Sequence, residues 1–314
     1  MKYTLFLIII CSSTVNALNL SASRTFLSRP VILIHDRHNL CPGDDTRKRM
    51  GQKIINAVAN SKINWIVGAE NYYASDGGDI IKSYNNKYLN LSQIMDDIDE
   101  RINNDKNTFV SLESRNIITL IRLLISLNIR LQKADDKSAA SIISYITQIA
   151  DYIGDISLND IYKYFLTEID FSIARLDEEH ESIKQILEKI KLKIVQKFST
   201  IEKYLFDNGF QREDFFLPIL GLIAQPHERT GILLNLFYSN ELDCVVFSQV
   251  VDAKALESYA RTPKDMGFLA VSGYKHTEWL ENTISQIHMC SFEQLELKDD
   301  QSWEKLQHWI HNSE

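Results

Sequence analysis

Proline and glycine are scarce, 5 and 11 among 314 residues. That scarcity excludes collagen-like and low-complexity chains and argues against a turn-rich all-β design. Cysteine is scarce too: there are four, at positions 11, 41, 244 and 290, and no two share a metal-type spacing. Once Cys11 is assigned to a leader, three remain, and an odd number is not a disulfide framework. An excess of positive charge is absent as well. The formal net charge is −8, which makes nucleic acid and anionic membrane surfaces poor partners. The most apolar stretch after the N-terminus, Asn116 to Leu131, is interrupted by Arg122 and Arg130 and reads as a buried helix, not a bilayer span.

What is present begins with a leader pattern. Lys2 supplies the charge, Leu5 to Cys11 the short apolar core, and Val15-Asn16-Ala17 a small-x-small end. Residues 1–17 are therefore expected to be a signal peptide, with 18–314 a single secreted or periplasmic domain. The alternative is an uncleaved N-terminal anchor. Cleavage removes Lys2 and no acid, leaving 33 basic against 42 acidic residues, a net charge of −9. No stable membrane span is expected in what remains.

The apolar run Val31 to Ile34 leads straight into His35-Asp36-Arg37-His38. Such a run reads as a buried strand, and the polar cluster then falls at its carboxyl end, where open α/β sheets bind ligands. Ile63 to Ala69 reads as a second strand ending in Glu70, and Thr108 to Leu112 as a third ending in Glu113. Helical patterns fall between them, at Met50–Val58 and Leu91–Ile102, with a polar loop from Tyr72 to Asn90. The alternation predicts an α/β fold: a mixed, mostly parallel sheet flanked by helices.

A large helical insertion is expected at about 115–210. Its longest helix, roughly Glu178 to Phe206, carries the stripe Ile183, Leu187, Ile190, Ile194, Phe198, Ile201 and Leu205. Lys189, Lys191, Lys193 and Lys197 read as its solvated face. The α/β pattern then returns: a loop at Gln225–Arg229, a strand at Cys244–Phe247, a helix at Ala253–Ala260 and a strand at Phe268–Val271. Ser272-Gly273-Tyr274-Lys275-His276 follows, with Thr277 expected to cap a helix over Glu278–Ile287. A short strand near Ile287–Phe292 and a helix at Ser302–Ile310 close the chain.

Candidate chemistry thus collects at strand ends: His35, Asp36 and His38 after the first, Glu70 after the second, His276 after a late one. Two imidazoles and a carboxylate from separate strands can hold a divalent metal. The same set can work without metal, one His taking a proton from water while Glu70 fixes its tautomer. Arg37, Tyr72 and Tyr73 could position an oxygen of a small-molecule or peptide substrate. The other histidines, at positions 180, 227, 288, 308 and 311, and Glu113 read as structural or exposed.

Strand-His-Asp-Arg-His, strand-Glu about thirty residues on, and a late strand-Gly273-x-x-His276-helix resemble the erythromycin esterase/ChaN-like superfamily, which includes TraB/GumN/TIKI-type proteins. The resemblance covers the two α/β ends and not the helical middle. It implies a hydrolase-like protein acting on an ester or amide. His38 would be base or metal ligand with Asp36 its companion, Glu70 orienter or ligand, and His276 the second ligand or acid/base, next to Gly273. Two departures stand out: His35 occupies a position where the family has Gly, and Arg261 is the only trace of an Arg-rich segment before the last motif. His35 is then either an added ligand or a mark of a divergent site. The ChaN-like branch implies an alternative, a non-enzymatic binder of haem or iron. A catalytically inactive interaction protein is a third reading.

Overall fold

The run Val31–Ile34 forms the middle of β2 (Pro30–Asp36), near the centre of a six-stranded sheet. The computed structural model describes residues 20–36, 53–54, 56–70, 107–112, 116–131, 133–223, 227–238, 246 and 248–312. The other strands are β1 (Ser21–Phe26), β3 (Asn64–Ala69), β4 (Thr108–Ser111), β5 (Met266–Gly273) and β6 (Glu293–Glu296). Their order across the sheet is β4-β3-β5-β2-β1-β6. The first four in that order are mutually parallel, and β1 runs antiparallel to both its neighbours. The sheet is mixed and mostly parallel, as the α/β reading expects.

Alternation along β2 sends Val31 and Leu33 into one core, and Ile32 and Ile34 into another on the opposite face. Both faces of the strand are covered, so it reads as a continuous apolar run and not as alternation. The smaller core is closed by helical residues 53–54 and 56–59 and by the C-terminal helix. Trp65 is fully buried there. Its backbone N–H donates to Asn107 Oδ1 at 2.7 Å and its indole N–H to Ser61 Oγ at 2.9 Å. The ring lies against Gly267 of β5, where a Cβ would come within 2.5 Å of it. Only glycine allows the two backbones and the indole to pack at that point.

Between β4 and β5 the described chain is helical. The helices are α1 (Asn116–Leu131), α2 (Asp136–Ile153), α3 (Leu158–Ala174), α4 (Glu181–Asp207), α5 (Ile219–Ile223), α6 (His227–Tyr238) and α7 (Ser248–Arg261). Two follow β5: α8 (Tyr274–His288) and α9 (Asp300–His311). Helix α3 starts at a capping box, with Ser157 and Asp160 satisfying each other's backbone N–H groups. All seven residues of the expected α4 stripe are buried. The opposite face of α4 is half-buried at Lys191, whose ammonium reaches Asp170 at 2.5 Å, and exposed at Lys189 and Lys193. No helix among the described residues is long and apolar enough to cross a membrane.

Several local expectations are corrected. β1 was not expected; Ser21–Phe26 is only weakly apolar, and it is held by pairing with β2 on one side and β6 on the other. His227–Arg229 belongs to α6, not to a loop. Of the strand expected at 244–247, only Val246 is described, in a helical turn. The expected strand at 287–292 lies four to six residues later, because α8 continues to His288 and ends at Met289 in a left-handed conformation. Thr277 does not cap α8. The helix begins at Tyr274 with Gly273 in the capping position, and Thr277 is buried one turn inside.

Candidate functional site

Four parallel strands place their carboxyl ends on one edge of the sheet. In register, Asp36 of β2 lies beside Gly273 of β5, and Ala69 of β3 beside Val271. Glu70 is the residue immediately after β3, and its N–H still donates to the Val271 carbonyl at 2.9 Å. That bond turns the Glu70 carboxylate toward the start of α8. The side chain is 3 % exposed, and Oε2 accepts the Gly273 backbone N–H at 2.6 Å. This is one of the first N–H groups of α8, which have no partner inside the helix, so the carboxylate doubles as its N-terminal cap.

The first turn of α8 carries His276 back over this carboxylate. Its Nε2 lies 3.8 Å from Glu70 Oε1. Its other nitrogen, Nδ1, lies 2.7 Å from Asp252 Oδ1 in α7. The imidazole is therefore held between two carboxylates from two different elements, and it keeps 15 % exposure. Burial pushes the Asp252 carboxyl above its usual range, and nearby Glu70 adds to this. The bond to His276, its charge and Lys193 pull the other way. With Asp252 ionised, Nδ1–H is the donor, and Nε2 is left to accept or donate a proton on the Glu70 side.

Asp252 was not anticipated from sequence, where it sits beside the expected helix Ala253–Ala260. A signal was present: Val250, Val251, Ala253, Ala255 and Leu256 make the helix apolar around an acid, and all five are buried. An acid enclosed by such neighbours needs a partner.

His35 is placed differently. It is 3 % exposed, and both ring nitrogens meet hydroxyls: Nε2 with Ser23 Oγ at 3.2 Å and Nδ1 with Thr277 Oγ1 at 2.7 Å. Glu281 Oε2 stands 3.8 Å from Nε2, and Tyr274 lies against the ring at 5.8 Å. The imidazole is thus accommodated by a strand residue on one side and α8 on the other. Its hydroxyl partners tie β1, β2 and α8 together at the edge where the site forms.

Of the residues expected to act together, the structure joins Glu70, Gly273 and His276, and adds Asp252. Arg37, His38, Tyr72, Tyr73 and Glu113 lie outside the described residues, as does the side chain of Asp36. Arg261 lies at the far end of α7, where it pairs with Glu257 at 3.1 Å.

Glu70 Oε1 and His276 Nε2 are two ligand-type atoms facing each other, one fewer than the three protein ligands of a catalytic zinc site. Two tetrahedral ligand atoms about 2.0–2.2 Å from one ion stand ~3.4 Å apart, so Glu70 Oε1 and His276 Nε2, 3.8 Å apart, would have to draw together to share one. A metal-ligating imidazole commonly donates its second N–H to a carboxylate, the place Asp252 takes. A separate group of ligand-type atoms, from Asp177, Glu179 and His180, lies elsewhere and is mostly exposed.

Comparisons with family models, with curated proteins and with solved structures give no match to this chain.

Proposed function

We propose that the chain is a secreted or periplasmic hydrolase of the erythromycin esterase/ChaN/TraB type, cleaving an ester or amide with His276 as acid/base. The observation that carries this reading is the suspension of His276 between Asp252 Oδ1 at 2.7 Å and Glu70 Oε1 at 3.8 Å, at the carboxyl edge of the sheet. A water resting against both Nε2 and Oε1, about 2.8 Å from each, would be hydrogen-bonded by two acceptors at once. Nε2 takes one proton from that water as its oxygen attacks the substrate carbonyl carbon. Asp252 stabilises the imidazolium so formed. The proton then passes from Nε2 to the leaving oxygen or nitrogen as the carbonyl–heteroatom bond breaks.

His38 follows Asp36 by two residues in sequence and is proposed as a second base or ligand on the sequence pattern alone. A divalent ion, if bound by Glu70 and His276, would supply Lewis acidity and lower the pKa of a bound water.

The test is a panel of nitrophenyl esters and fluorogenic amides run on the purified chain and on His276→Ala, with elemental analysis of both and circular dichroism as the folding control. Hydrolysis lost in a folded His276→Ala protein supports the enzyme. Stoichiometric metal lost in the same variant supports its metal-assisted form. Absence of turnover in the parent across the panel, together with a Soret band on adding haem that His276→Ala abolishes, would replace the hydrolase with a haem binder.

A further inference from the structure

The opposite edge of the sheet carries a cavity of about 740 Å³. It opens where β2 and β5 begin, and its walls come from the β1–β2 turn, the end of α7, the end of α8 and the segment before α4. Asp252 and Tyr259 are seven residues apart on α7, so this cavity lies about 10 Å along the helix from the His276 site.

Arg29 lines it and is 9 % exposed. Its guanidinium lies over the Tyr259 ring at 4.8 Å. The Tyr259 carbonyl accepts from Nη2 at 2.6 Å, and the Thr262 carbonyl accepts from Nη1. Its Nε–H is buried with no hydrogen-bond partner among the described residues. Among the described residues no carboxylate stands within ion-pair distance of it. Taking a guanidinium without a close carboxylate out of water is costly; burial depresses its basicity here, while Tyr259 and the more distant charge of Glu179 act in the opposite direction.

Three more cations share the cavity: Arg175, Arg261 and Lys264. The two arginines divide one carboxylate, Glu257, at 3.5 and 3.1 Å. Lys264 is exposed. The acids lining the cavity are Asp177 and Glu179, and Asp177 is engaged by His180. Positive charge is thus in excess, with the buried member fixed in place by two carbonyls and an aromatic face. His288 adds a neutral imidazole, bonded through Nε2 to the Tyr259 hydroxyl at 2.7 Å.

We propose that this cavity is a second ligand site that takes a small molecule carrying a phosphate or carboxylate group, with Arg29 as the buried anchor and Lys264 as the mobile rim charge. Charge-assisted bonds from guanidinium to oxyanion are the strong class, and a preorganised fork loses little freedom in making them. The volume is within the range of small-molecule pockets and is too large for the anionic group alone. The proposal stands independently of the hydrolase reading, since none of its residues belongs to the His276 site.

The experiment is calorimetric titration of the full chain with inorganic phosphate and, separately, with succinate, at constant ionic strength in chloride with a chelator present. Saturable one-to-one binding of either supports the site, and the anion that binds identifies the head group. Arg29→Met keeps the packed stem and removes the charge; it should weaken binding by roughly tenfold or more. Because that variant alters a buried group, Lys264→Glu is the surface counterpart, expected to weaken binding several-fold. Lys137→Glu, the same charge change on exposed α2, should leave it unchanged. Lack of saturable heat with both anions, or equal weakening by Lys264→Glu and Lys137→Glu, overturns the proposal.

Discussion

Asp252 Oδ1 and His276 Nδ1 are 2.7 Å apart, joining the second turn of α7 to the first turn of α8. The bond fixes the ring orientation and the tautomer, so that Nε2 is the nitrogen presented to Glu70. Replacing Asp252 by Asn keeps the shape but removes the charge that stabilises the imidazolium. The His276 titration midpoint is then expected to move down in pH, as read by proton NMR of the ring. Under the proposed hydrolase reading, ester or amide turnover falls by roughly a hundredfold or more, the usual scale for a positioned acid/base. A midpoint unchanged in Asp252→Asn would remove Asp252 from the mechanism.

Glu70 makes a different prediction because its two oxygens do different things. Oε2 caps α8 through the Gly273 N–H, and Oε1 faces His276. In Glu70→Gln the amide oxygen can still accept from Gly273 while the charge beside His276 is lost. The variant should keep its helical circular dichroism and a near-parental melting temperature, yet lose most turnover and any bound metal. Glu70→Ala should lose both, with about 1–2 kcal/mol of stability gone along with the cap. Equal melting temperatures in the Gln and Ala variants would show that the cap contributes nothing.

The nearness of Glu70 and His276 was legible from sequence because both come shortly after apolar runs that read as buried strands, and parallel neighbours bring such ends to one edge. The position of a residue relative to a strand end carries over directly into which edge it occupies. The α4 stripe was legible for the same reason: a period of 3.6 sustained over seven residues has one structural solution. β1 was not, because Ser-Ala-Ser-Arg-Thr-Phe gains its burial from hydrogen-bonding neighbours on both sides, far away in sequence at β6. Thr277 was misread for a related reason. It has the composition of a cap, but its hydroxyl is used by His35, 242 residues earlier. Partners so distant leave no local pattern.

That Thr277–His35 bond yields a test separating support from chemistry. Thr277→Val is nearly isosteric and leaves His35 Nδ1 facing a methyl group. The expected loss is about 0.5–1.5 kcal/mol, the net contribution of a typical intramolecular hydrogen bond. Turnover per folded molecule should stay within a few-fold of the parent, since Thr277 touches neither Glu70 nor Asp252 in the arrangement described. Chemical denaturation and single-substrate kinetics on the same preparation check both halves. A large kinetic effect with unchanged stability would make His35 part of the chemistry.

Gly267→Ala tests the sheet itself. The added methyl would sit 2.5 Å from the Trp65 ring, closer than any side chain tolerates, and the indole is fixed by its bond to Ser61. Overpacking of this kind typically costs about 1–3 kcal/mol. Trp65 fluorescence should change with the displaced ring. In the double variant with Trp65→Phe, whose smaller ring relieves the contact, part of the loss should be recovered. Additive losses in the double variant would mean that the two residues do not press on each other.

The last expectation concerns pH. Burial, with help from the Arg29 charge, lowers the His288 pKa below its ordinary value of 6.5. In the folded chain the ring is therefore neutral over a range where the unfolded chain already binds a proton. Between the two pKa values the unfolded state takes up more protons, so stability rises with pH there. The contribution is fully present above about pH 6.5 and is lost as pH falls through the lowered folded value. His288→Gln cannot titrate and should flatten the acid side of the melting-temperature profile between neutrality and pH 5 relative to the parent. An anion bound beside Arg29 would offset the charge that helps hold the ring neutral. Saturating phosphate or succinate, whichever binds, should therefore shrink this pH dependence in the parent and leave the variant's profile unchanged in slope.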